Sequence, residues 1–224
     1  MKKYEFTDET KLVHLIDRSV VLHRIRAVTS FGDVKAGDIG GWIETEENLS
    51  HDGNAWVAGN AQVYDNAQVS DNAVVFGNAK VHSSAQVFQN AKVYGNAWVR
   101  GQAQIFGYAN VYHKAEICDV TWIYGHAEVY GNAKVFGDAT LCGDAMVHRT
   151  NHVFLVGPIG SRNDSTTFYR NIDGQIDVKC GCFNGNIEVF LEKVTQTHEN
   201  NQHASAYRAV AQVAKMQIKT NGFD

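Results

Sequence analysis

Two groups of residues in the last third of the chain have the types and spacing to do chemistry. The first is the stretch Gly157-Pro158-Ile159-Gly160-Ser161-Arg162-Asn163, with two glycines, a hydroxyl and a guanidinium in one short span. Backbone N–H groups in a glycine turn, joined by an arginine, can hold a phosphate or carboxylate. Arg170 and Lys179 follow on neighbouring segments, so Ser161, Arg162, Asn163, Arg170 and Lys179 form a candidate anion site. The spacing is not that of a P-loop. The second group is Cys180, Cys182, His198 and His203, two thiols and two imidazoles that suit a tetrahedral zinc ion. Its C-x-C is tighter than the usual C-x₂₋₄-C. On a single strand both thiols would face one side, which fits a pair packed in a core, so the favoured reading is that no metal binds.

Short strands and two helices must position these groups. His152 to Ile159, Thr166 to Tyr169 and Gln175 to Cys182 read as strands, the last two joined by a hairpin at Asp173-Gly174. Ile187, Phe190, Leu191 and Val194 recur at helical spacing. A second helix runs from His203 to Ile218, with Tyr207, Val210, Ala211, Ala214 and Ile218 on its inner face. Residues 149–224 therefore read as a small α+β module, too elaborate for a mere end cap.

A repeat occupies the middle of the chain. From Gly53 to His148 there are 16 consecutive six-residue units of the form G-N-A-x-V-x, without insertion. The fifth place is Val, Ile or Leu in all 16 units, and the third is Ala in all but one, where Thr121 stands. Alternation along a short strand sends both places inward, while Gly and Asn at the corner tolerate positive φ. One unit cannot bury its apolar face alone, so the units must wind and stack. The same repeat explains the composition: 26 Val, 23 Ala, 20 Gly and 18 Asn against 7 Leu and one Pro among 224 residues. That balance excludes a helical bundle.

The hexad resembles the hexapeptide-repeat, left-handed β-helix superfamily, in which an aliphatic residue precedes a small one by four places, as Val63 precedes Ala67. The resemblance implies three hexads per triangular coil, so that 16 hexads give a little over five coils, and it implies a homotrimer. Residues 18 apart should then stack. Phe76, Tyr94, Tyr112 and Tyr130 are so spaced, and so are Phe88, Phe106 and Tyr124. These two outward ladders either support neighbouring coils or form a contact face between copies. The third side, from Tyr64 to Phe136, is mixed.

Residues 1–52 leave the hexad. Leu12 to Val28 reads as one or two strands, Trp42-Ile43 and Leu49 begin the solenoid, and the whole is expected to cap its open end. Gly37-Asp38-Ile39-Gly40-Gly41-Trp42-Ile43-Glu44 and Glu47-Asn48-Leu49, placed before the repeats, resemble prophage-borne and bacterial hexapeptide-repeat proteins of mostly unassigned function. Gly160-Ser161-Arg162 and Cys180-Gly181-Cys182-Phe183 look like a module of phage genes. The expected fold is thus mainly β: a cap over 1–52, a β-helix over 53–148 and the module over 149–224.

Resemblance also raises two activities. Hexapeptide-repeat acyltransferases use a histidine as general base, for which His82, His113, His126 and His148 are candidates. Such enzymes form donor pockets at loops that break the repeat, and residues 53–148 have no break. Carbonic-anhydrase chemistry on this fold needs three clustered imidazoles, whereas His113 and His126 are 13 apart on different sides of the prism. The net charge of −4 argues against general nucleic-acid binding, and no apolar run reaches membrane-spanning length. Four cysteines and no leader-like N-terminus favour a reducing cytoplasm. The reading that follows is a non-catalytic, phage-type, oligomeric scaffold without a cofactor. Its C-terminal module would bind a host protein or a small nucleotide-like anion, in one form to blunt a bacterial defence system. The alternative is an acyltransferase.

Overall fold

A computed structural model describes residues 2–218. The chain is mainly β. Strands β1 (Tyr4–His14) and β2 (Ser19–Ala27) form an antiparallel hairpin that leads to β3 (Ile39–Ile43). Sixteen two-residue strands follow, one per hexad, from β4 (Trp56–Val57) to β19 (Met146–Val147). They wind into a parallel solenoid of about six turns with three sheets. Pairing joins residues 18 apart, as in Val75, Val93, Val111 and Val129, so three hexads make one coil. The coil count exceeds that of the hexads alone because β3 and Leu49 add a first turn. They pair with Val63 and Val69 at a spacing of 20.

The third and fifth hexad places are buried throughout, and Thr121 donates to the Cys118 carbonyl at 2.7 Å. The corner differs from expectation. Only its first residue takes positive φ, in all 16 hexads, at 57–75°. Six of these residues are not glycine, and four offset the strain: Asp65, Asp71, Gln89 and Asp119 accept backbone N–H groups of the next coil at 2.8–3.0 Å. The following Asn instead builds side-chain ladders, such as Asn54 to Asn72 at 2.9 Å.

The N-terminal motif closes the first coil. A Cβ on Gly40 or Gly41 would come within 2.5–2.8 Å of Ile25, Trp56 and Val57 or of Val57 and Ala61. Fully buried Asn48 accepts from the Glu44 and Thr45 amides and donates to the Asp65 and Ala67 carbonyls. Lys3 donates to the Asp52 and Gly53 carbonyls, and its burial holds the amine down at about 8.

Beyond the solenoid, β20 (Val153–Ile159), β21 (Asp164–Arg170), β22 (Ile176–Cys180) and β23 (Phe183–Asn186) form an antiparallel sheet. Helices α1 (Ile187–His198) and α2 (Gln202–Gln217) pack on it. Strand alternation gives this sheet two duties. Tyr169 is buried in the solenoid core, with its hydroxyl 3.3 Å from Cys142 Sγ and donating to Asn184, whereas Phe168 joins the core beneath the helices. The sheet therefore closes the end of the solenoid as well as packing against the helices.

One expected strand is two. The stretch from Gln175 to Cys182 breaks at Gly181, whose φ is +54°, and reverses into β23. Cys180 and Cys182 consequently do not share a strand face: Cys180 is half-buried and Cys182 exposed at the turn.

Candidate functional site

The hairpin turn between β22 and β23 makes one wall of a cavity of about 250 Å³. The second wall is the C-terminal half of α1, with Phe190, Lys193, Val194, Thr197 and His198. Tyr207 of α2 and the turn carrying Ser161, Arg162 and Asp164 complete the lining. Two glycines permit this closeness. A Cβ on Gly160 would strike the Tyr207 hydroxyl at 1.8 Å, and one on Gly181 would lie 3.2 Å from Arg162 Nη1. Both residues also have positive φ, so any side chain there would combine strain with collision.

Arg162 and Lys193 give the cavity a cationic side. Among the described residues neither has an ion-pair partner; Lys193 donates to Gln196 at 3.3 Å. Asp164 is the one carboxylate in the lining. Behind it the wall is aromatic: Phe183 lies 5.4 Å from Phe190, which meets Tyr207 edge-on at 5.5 Å. Burial, then its contact with Cys180, pushes the Tyr207 hydroxyl up to about 12, so it stays protonated at neutral pH. Cys180 donates to that hydroxyl at 3.7 Å and accepts from Thr166 at 3.2 Å.

The residues expected to bind an anion divide. Ser161 and Arg162 line the cavity. Asn163 closes the turn by donating to the Gly160 carbonyl and faces a shallow depression on the other side. Lys179 donates to the Gly181 carbonyl at 2.7 Å and borders a separate groove with Trp122 and Tyr124 of the solenoid. Arg170 is buried where the module meets the solenoid, near Tyr130, His148 and His152. Arg170 is the last residue of β21, two residues beyond Phe168, and it is the end of the strand at the module–solenoid junction that removes it from the cavity. In place of the last two, α1 supplies Lys193 and His198, which in sequence resemble an ordinary solvated helix face.

The four residues weighed for zinc, Cys180, Cys182, His198 and His203, are not brought together. His198 and His203 rings lie 5.8 Å apart, but the hairpin splits the thiols, and among the described residues no three His, Cys, Asp or Glu side chains gather as a metal site. The solenoid histidines are scattered. His82 stacks on Tyr64 at 4.8 Å, and burial lowers its basicity. His126 stacks on Tyr108, His113 occupies a positive-φ corner beside Tyr112, and His148 ends the first aromatic column.

Both ladders stack. Phe76, Tyr94, Tyr112 and Tyr130 follow one another at 4.7–5.0 Å, within 4° of parallel. Phe88, Phe106 and Tyr124 do so at 4.8–4.9 Å. All seven rings are half-buried, because their faces cover one another.

Comparison with known proteins agrees with the solenoid. A family described as the YdcK beta solenoid repeat matches residues 67–83. A protein of Escherichia coli (strain K12) named uncharacterized acetyltransferase YdcK is 36% identical over 61 residues, 25% of this chain. The chain spans only 19% of that relative's length. Among the described residues, no helix is long and apolar enough to cross a membrane.

Proposed function

We propose that this chain is a binding protein, in which the β-solenoid is a rigid scaffold and the C-terminal module takes a small anionic ligand. The observation that carries this reading is the cavity that Arg162 and Lys193 both line, without an ion-pair partner among the described residues, held open by Gly160 and Gly181. Arginine in such a setting recognises carboxylate or phosphate by charge-assisted hydrogen bonds. The phage-like motifs of the tail supply the finer form of the reading, in which a host protein or host signalling molecule is captured. Thermal melting with a panel of small anions tests the binding. The wild type should gain stability, while an Arg162→Ala/Lys193→Ala variant with the same unliganded Tm should gain none. No shift with any anion overturns the reading.

Self-association belongs to the same proposal. The outward strand positions of the sheet that runs from Gln68 to Cys142 carry no charged residue, whereas those of the sheet holding β3 include Lys80, Arg100, Glu116 and Lys134. Loss of charge at the centre is characteristic of subunit interfaces. Light scattering should give a mass above the 24.8 kDa monomer, reduced to the monomer by Phe106→Glu; a monomeric wild type removes this part.

The likeness to a protein named as an acetyltransferase favours a second reading, acyl transfer on the solenoid. Calorimetry with acetyl-coenzyme A distinguishes it. Micromolar binding that survives loss of Arg162 and Lys193 would replace the first reading.

A further inference from the structure

We infer that the ligand of this cavity is a single-ring aromatic anion, an inference that rests on the anion-binding reading above. Size sets the first limit. At about 250 Å³ the cavity falls just below the roughly 300 Å³ at which drug-sized sites begin, so a dinucleotide has no room. The mixed lining of the cavity sets the second. Arg162 and Lys193, with the His198 imidazole, share the lining with the rings of Phe183, Phe190 and Tyr207, and among the described residues Asp164 is the one carboxylate there. An inorganic anion would satisfy the cations and leave the rings facing water. A neutral aromatic compound would cover the rings and leave two cations to be desolvated without a partner, which is costly. A one-ring molecule with a carboxylate or phosphate satisfies both kinds of lining group at once. Its ring can meet Phe183 and Tyr207 by offset or edge contact, and its head group can meet the guanidinium and ammonium.

Calorimetry on the full chain with four probes decides this: phenyl phosphate, 4-hydroxybenzoate, inorganic phosphate and adenosine monophosphate. At least one of the two aryl anions should bind about tenfold tighter than both inorganic phosphate and the nucleotide, and Lys193→Ala should weaken it about tenfold. A smaller preference, or tighter binding of the nucleotide, overturns the single-ring inference while leaving the anion site standing. Failure of all four probes at millimolar concentration removes the anion site as well. The aryl carboxylate and aryl phosphate arms show which head group the cations prefer.

Discussion

The solenoid and the C-terminal module both rest on strand alternation, yet they put it to different ends. In the solenoid each inward side chain meets a small or aliphatic neighbour one coil away, and the outward rings of two columns stack on rings. In the module the sheet has two apolar faces, one sealing the solenoid through Tyr169 and the other receiving α1 and α2. Helices on a short sheet leave a gap at the hairpin turn, and Arg162 and Lys193 line it beside aromatic rings. A regular array leaves few groups for chemistry; an irregular junction of unlike elements does.

If Tyr169 is the plug between the two regions, Tyr169→Ala should produce the largest effect. Loss of a fully buried ring and of its hydrogen bond should cost about 3–5 kcal/mol and lower the Tm by roughly 10 °C or more. A shift of a degree or two would mean that the module and the solenoid are not mechanically joined at this strand.

The junction also predicts a pH dependence. His152 is buried, and burial first, then His148 and Arg170, lower its pKa to about 4. Between the ordinary value of 6.5 and about 4 the unfolded chain binds a proton that the folded chain refuses. Stability should be flat above pH 6.5 and fall as pH drops through that window, by about 2–3 kcal/mol in all. His152→Gln should remove this part of the acid sensitivity in urea titrations; unchanged sensitivity would place its origin elsewhere.

Inside the solenoid, Ala97→Leu should overpack a fully buried site and cost about 1–3 kcal/mol. A neutral result in chemical denaturation would mean that the interior has slack. The smallest stability effect belongs to the pocket: Arg162→Ala removes an exposed side chain and should move stability by less than about 0.5 kcal/mol. A large loss of Tm would make Arg162 structural and erase the contrast between the two regions.

The fold was legible wherever local signals repeat. Gly59-Asn60-Ala61-Gln62-Val63-Tyr64 contains its own corner and its own alternation, so 16 copies name a coil. The helix faces of Phe190, Val194, Tyr207 and Ala211 were legible from period alone. The pocket was only half visible. Arg162 stands in a conspicuous glycine turn, but Lys193 and His198 reach it only because α1 packs beside the hairpin, a long-range placement that no spacing reports. The break at Gly181 was hidden inside an apparent strand, although a lone glycine within such a run is a recognised sign of a bulge or reversal. Arg170 lies at the end of β21 beside His148 and His152, a placement that depends on how the sheet docks on the solenoid and that no local spacing reports.

Hydrogen exchange across the whole chain, with and without saturating phenyl phosphate, tests the division of labour most directly. The account predicts added protection at residues 160–164, 180–183 and 190–198 and none over 53–148. Protection centred on the solenoid around His82, His113, His126 or His148, or no protection in the three module segments, would contradict it.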